Sequence, residues 1–198
     1  ITRRGELEDV WRGIEAVQAA GLLPVKLNCV VTRGFNDDEV VDLARLSLQN
    51  PWEMRFIELM PIRNQSNWGN GFGSIKDMYI SSQEILEILG PLGLKQIEKN
   101  SGKGPAQEFS FKNGKGRIGI ISPLGDKFCD QCNRLRLTAD GHLRPCLMSD
   151  IEIPVLTAIR TGQPLLPLLE LAAKQKPIGH QLAEGYAPVA RCMMEIGG

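Results

Sequence analysis

Three of the chain's five cysteines lie in the run "FCDQCNRLRLTADGHLRPCL", residues 128–147, as Cys129, Cys132 and Cys146 in a C-x2-C-x13-C pattern. A two-residue spacing lets one tight turn aim two sulfurs at a common centre, and a hairpin after Cys132 would return Cys146 to it. Soft thiolates in this arrangement select zinc or an iron–sulfur cluster over hard cations. Spacing alone leaves both open. His142 lies four residues before Cys146 and could complete a Cys3His zinc knuckle; alternatively, three thiolates leave one iron of a cluster without a protein ligand. A trio of metal-free thiols is disfavoured, because neighbouring free thiols invite oxidation.

Arg134 and Arg136 follow directly. In an extended segment residues two apart share a face, so both guanidiniums point the same way. Their planar, permanently charged forks suit phosphate oxygens. The plainer alternative is a solvated strand edge that discourages aggregation, which does not require arginines beside a metal. A three-ligand cluster next to a phosphate clamp could bind a nucleotide through its open iron.

The rest of the chain must position this run. Residues 6–20 place Leu7, Val10, Trp11, Ile14 and Val17 on one helical stripe, with Gly21 as a stop. "LPVKLNCVV" predicts a buried strand, "GFNDDEVVDLARLSLQN" a turn and a helix, and "MRFIELMP" a second strand closed by Pro61. This βα rhythm calls for a parallel sheet covered by helices. Residues 62–75 are rich in Gly and Asn and predict a long loop; Ser81 and Glu84 form a capping box opening a helix. From Lys95 the period changes to short strands, "KQIEK", "QEFSFKN" and "GRIGIIS", and the segment from Arg134 to Leu147 predicts a hairpin. Apolar stretches 153–160 and 164–173 suggest closing helices.

Composition removes several function classes. Lys and Arg number 23, as do Asp and Glu, so no global field favours nucleic acid or an anionic membrane. Anion binding must be local. No apolar run approaches the ~18 to 20 residues of a membrane span. An odd, clustered cysteine set argues for a reducing, cytoplasmic compartment. Two βα units followed by an antiparallel meander cannot close a barrel, so the upstream part of a larger α/β domain is expected to precede Ile1.

The cysteine run resembles the C-terminal cluster motif of the GTP 3',8-cyclase family, radical SAM enzymes of molybdenum cofactor biosynthesis. "GIEAVQAAGLLPVKLNCVVTRGFNDDE" is similar to that family's fifth barrel unit, "RFIELMP" to its sixth strand, and "KPIGH" with the terminal "MMEIGG" to its tail. The resemblance implies the C-terminal part of an incomplete (βα)6 TIM-like barrel over 1–93, followed over 94–198 by a small antiparallel sheet domain carrying a cluster. It implies that GTP is converted to (8S)-3',8-cyclo-7,8-dihydroguanosine 5'-triphosphate. The radical would come from S-adenosylmethionine on a second [4Fe–4S] cluster, and the product would pass to cyclic pyranopterin monophosphate synthase. A homodimer is implied as well.

Residue by residue, Cys129, Cys132 and Cys146 match the ligands of the substrate-binding [4Fe–4S] cluster. Arg134, Leu135 and Arg136 match the GTP-contacting segment, and Lys26 a GTP-contacting lysine. Met60 matches a residue that touches S-adenosylmethionine, although core packing is its plainer role. Arg55 would line the cavity near an anionic group. Gly197 and Gly198 match a di-glycine tail that reaches the active site, against the alternative of a frayed terminus. The radical-generating C-x3-C-x2-C is not in this sequence, and Cys29 and Cys192 each stand alone. The chain by itself is therefore expected to be inactive. The rival readings are another radical SAM enzyme with an auxiliary cluster, and a zinc-binding module without catalysis.

Overall fold

The computed structural model describes residues 5–60, 74–98, 104–125, 129–182, 186, 188–191 and 193–196. These fall into two compact units, one within 1–59 and 79–122, the other within 60–78 and 123–198.

The first unit contains α1 (Leu7–Ala19), β1 (Lys26–Val31), α2 (Val40–Gln49) and β2 (Glu53–Glu58). It owes its main sheet to strict alternation. Leu27, Met54 and Ile118 lie side by side, as do Cys29, Phe56 and Ile120, and all project to one face. That face is sealed by α2 and by a further helix, Ser82–Leu89. Phe56, Ile85, Leu89 and Ile118 are completely buried there with Val40 and Ala44; each large apolar side chain so buried contributes about 1.5–3 kcal/mol. The opposite face carries Lys26, Asn28, Glu53, Arg55 and Gly119 across the same strands. The alternation thus separates a helix-covered core from a charged face.

The helix Ser82–Leu89 opens on the expected capping box: Ser81 Oγ accepts from Glu84 N, and the Glu84 carboxylate accepts from Ser81 N. Glu58, fully buried at the end of β2, accepts from Ser82 N at 2.7 Å and from Ser122 Oγ at 2.9 Å. Its charge therefore sits against that helix's positive N-terminus. Burial, and then Glu58, push the Tyr79 hydroxyl up to about 12.

The strands Lys95–Ile97 (β3), Gln107–Ser110 (β4) and Arg117–Ile121 (β5) form the expected meander. They do not open the second unit. β5 lies parallel to β2, giving one mixed sheet in the order β1-β2-β5-β4-β3. The spatial break therefore differs from the expected 93/94 boundary. The change of period at Lys95 marks the switch from parallel to antiparallel pairing, since a meander can extend an existing sheet as easily as start a new one.

The second unit holds α3 (Ile75–Met78) and three short antiparallel strands, β6 (Arg136–Leu137), β7 (His142–Arg144) and β8 (Ile153–Pro154). With the helix Ser82–Leu89 as α4, chain order completes as α5 (Leu156–Thr161), α6 (Leu166–Lys174) and α7 (Met193–Ile196). The β6–β7 hairpin is the one expected from sequence. The stretch 153–160 differs: its first two residues pair with β7 and the helix starts at Leu156. Pro154 lacks an N–H, which an outer strand tolerates. Leu143, Ile153, Val155 and Ala172 form one small core, tying α6 to β7 and β8. Met148 and Ile196 form another, packed with Met60, Cys146, Leu147 and Leu182.

The α1 stripe forms as a helix but lies largely uncovered, with Leu7 63% and Val10 57% exposed; Trp11 stacks on Trp52 at 6.0 Å. Of the predicted 62–75 loop, all but Ser74 and Ile75 lies outside the described residues, and Ile75 begins α3. Among the described residues no helix is long and apolar enough to cross a membrane.

Candidate functional site

Cys129 opens a single 3-10 turn ending at Gln131, and Cys132 N donates to Cys129 O at 3.1 Å. That turn brings the first two cysteines close. The hairpin returns the third. At its tip Gly141 has φ +80°, and a Cβ there would lie 2.5 Å from the Leu156 Cβ, so only glycine fits. Gly141 N donates to Thr138 O, Thr138 N to His142 O, and the Thr138 hydroxyl accepts from His142 N at 2.9 Å. β7 then delivers Cys146 beyond Pro145.

All three cysteines are half-buried. Burial pushes the Cys146 thiol up, and the charges of Cys129 and Cys132 add to this, so the three sulfurs are electrostatic neighbours. Burial also acts upward on Cys132. There it is outweighed by the Arg134 backbone N–H, the Lys176 ammonium and the Arg134 charge, and the net pKa is lowered. Among the described residues, however, no three His, Cys, Asp or Glu groups close up enough to hold one metal ion. His142, the candidate fourth zinc ligand, has its Nδ1 3.4 Å from the Asp140 carboxylate. Three soft thiols in cationic surroundings have the donor chemistry an iron–sulfur group would need, although among the described residues they are not gathered as one metal site.

Arg136 stands opposite Arg144 in the β6–β7 register. Their surroundings differ. Arg144 is fully buried, bonded to Glu152 at 2.5 Å and to Ser149 O, with Asp150 at 3.7 Å. Among the described residues Arg136 makes no ion pair with a carboxylate. Burial lowers its pKa, as do Arg134 and Arg144, while Cys132 and Cys146 oppose the change. Arg136 is thus a partly desolvated guanidinium beside a second one, with thiols among its neighbours, a chemistry with which an anion could pair. Leu135, between the two arginines, is 37% exposed.

Two features escaped the sequence reading. Lys176 Nζ donates to Arg134 O at 2.8 Å and to Pro145 O at 2.7 Å. A Cβ on Gly179 would sit 3.9 Å from the Cys129 Cβ. The run "KPIGH" therefore borders the cysteine motif at both ends; it was a visible motif, but nothing in it announced a contact 42 residues away. The second feature is an ion network. Arg191 bonds Glu152 at 2.5 Å and Asp140 at 2.7 Å, while Asp150 accepts from Val189 N and Ala190 N. It fastens the chain before α7 to the hairpin.

The other expected residues are distributed as follows. Met60 packs in the apolar cluster that includes Cys146 and Ile196. Lys26 and Arg55 lie on the charged face of the first unit; Lys26 is exposed, and Arg55 Nε donates to Glu53 at 2.6 Å. Cys29 packs on the helix-covered side, its thiol pushed up by burial and then by Glu39. Gly197, Gly198 and Cys192 lie outside the described residues.

The profile of the family described as Molybdenum Cofactor Synthesis C matches residues 52–182, spanning both the meander and the cysteine motif. The chain belongs to this family. Among the curated relatives of this Molybdenum Cofactor Synthesis C chain, the GTP 3',8-cyclase of Moorella thermoacetica is 45% identical over the whole chain, covering 60% of that protein. Those of Heliobacterium modesticaldum and Pelotomaculum thermopropionicum are 44% and 42% identical, covering 61% and 60% of their lengths. The chain thus spans about three fifths of the curated relatives it matches.

Proposed function

We propose that the whole protein is a GTP 3',8-cyclase of molybdenum cofactor biosynthesis. In this reading the chain supplies a substrate-binding [4Fe–4S] cluster on Cys129, Cys132 and Cys146 together with part of a radical SAM barrel. One observation carries the reading: the hairpin sets Arg136 opposite Arg144, and Lys176 bonds both Arg134 O and Pro145 O, so the arginine segment after Cys132 runs beside the residues that lead to Cys146. A bound cluster would supply an iron without a protein ligand, open to GTP. The residues of the chain do the remaining work. Arg134 and Arg136 hold phosphate charge, and Leu135 faces the nucleotide between them. Lys26 and Arg55, on the charged side of the parallel strands, would add cations at the barrel's interior. Met60 would touch S-adenosylmethionine, and Gly197 and Gly198 would serve as the di-glycine tail of the active site.

The barrel reading is supported by the parallel β1-β2-β5 core and by β1 itself, which among the described strands pairs only with β2. Val30 on that outer strand is 43% exposed, and Leu22 and Leu23 are 65% and 50% exposed. An apolar parallel edge calls for another strand and helix beside it. A second radical-generating cluster, a homodimer, a cytoplasmic location and cyclic pyranopterin monophosphate synthase as the next enzyme complete the proposal.

The test is iron and sulfide analysis of anaerobically prepared chain, with EPR of the reduced form recorded with and without GTP. About four irons per chain and a spectrum altered by GTP are expected. Colourless, zinc-loaded protein, or a cluster indifferent to GTP, would return the chain to the class of cysteine-stapled binding modules.

A further inference from the structure

We propose that Lys176 is a positioning residue for the cluster, pinning together the two chain segments that present Cys132 and Cys146. The inference rests on the cluster reading above and extends it to a residue outside the cysteine–arginine motif. An ammonium has three donors and no acceptor. Two of the Lys176 donors go to backbone carbonyls on different segments, Arg134 O at 2.8 Å and Pro145 O at 2.7 Å. Arg134 lies two residues after Cys132, and Pro145 immediately precedes Cys146. The Lys176 charge also acts on the Cys132 thiol, helping to hold it below its ordinary value. One side chain therefore spans the gap that the hairpin leaves between the ligand-bearing arms.

The placement of Lys176 is itself constrained. It follows α6 by two residues, its N–H donates to Ala173 O, and Pro177 ends any continuation of the helix. Ala172 of α6 is fully buried against Leu143 of β7, the strand that leads to Cys146. The lysine is thus held by the same core that fixes its target. Among the described residues it forms no ion pair with a carboxylate. Its charge is available to the thiolates, where it offsets the negative charge that a cluster with three thiolates concentrates at one place.

Two consequences separate this role from generic support. Loss of the pin should weaken retention of iron, and loss of the charge should make the cluster harder to reduce. The test compares Lys176→Gln, Lys176→Arg and Lys176→Met chains, reconstituted anaerobically, for iron per chain and for the midpoint potential of the cluster by EPR-monitored titration. Circular dichroism reports on folding. The expected result is a more negative midpoint in Lys176→Gln, recovery toward wild type in Lys176→Arg, and several-fold faster iron loss to a chelator in Lys176→Met. If Lys176→Met fails to fold, the Gln and Arg variants decide the matter. Wild-type midpoint and wild-type iron retention in Lys176→Gln would overturn the proposal while leaving the cluster reading intact. A wild-type chain that takes up no iron–sulfur cluster would remove the reading on which it rests.

Discussion

At the scale of residues, charge in the second unit is divided between two arginine populations. Arg144 and Arg191 are consumed by Glu152, Asp140 and Asp150, whereas Arg136 faces thiols and another arginine. This division predicts opposite phenotypes. Combined Arg134→Ala and Arg136→Ala substitution should weaken GTP binding roughly 100-fold, the loss of two charge-assisted contacts, with iron content unchanged; calorimetry on the cluster-loaded chain checks both. Glu152→Gln should instead leave GTP binding alone and cost about 2–3 kcal/mol of stability, because it removes the carboxylate charge that compensates the buried Arg144. Its pH dependence has a definite sign. Arg191, and then Arg144, hold the Glu152 carboxyl below the usual carboxylate range despite its partial burial. A depressed folded-state pKa means that this stability is complete above the unfolded pKa of about 4.3 and disappears as pH falls through the folded value. Denaturation across pH 2–7 should therefore show wild type converging on Glu152→Gln only at the acid end.

At the scale of elements, the legible features were those with local causes. The capping box of α4, the β6–β7 hairpin and the strands β1 to β5 all follow from short-range patterns: a Ser three residues before a Glu, a glycine at a tip that needs positive φ, apolar alternation. The α4 cap gives a direct test. Ser81→Ala removes the acceptor of Glu84 N and should lower stability by about 1 kcal/mol, read as a fall in the unfolding midpoint. What local pattern could not settle was partnership. The pattern of the meander assigns it to the following small sheet domain, whereas β5 pairs in parallel with β2, which no local pattern announces. Likewise Ile153 and Pro154 belong to an apolar stretch that suits a helix, yet pairing with His142 and Leu143 claims them as strand.

At the scale of the whole molecule, the two compact units have separate cores, one built on Phe56, Ile118 and Ile120, the others on Leu143 with Ile153 and on Met148 with Ile196. Separate cores predict separable cooperativity. Calorimetry should resolve two thermal transitions, with Ser81→Ala lowering one and Glu152→Gln the other, by roughly 4–8 °C per kcal/mol for units of this size. A single transition moved equally by both variants would instead mean that the units unfold as one.

The sequence alone determined the chemistry at hand: three soft thiols at C-x2-C-x13-C, two arginines two residues apart just after Cys132, and the family to which those motifs belong. Each of these is a matter of residue type and short spacing, which the chain carries before it folds. The tertiary structure decided that Arg144 and Arg191 are paired with carboxylates, that His142 turns toward Asp140, and that Lys176 reaches the carbonyls of Arg134 and Pro145. The Lys176 and Arg191 contacts among them join residues 31 to 51 apart in sequence. Hydrogen bonds and ion pairs at that range have no periodicity to announce them, because they are fixed only when the packed cores bring the segments together.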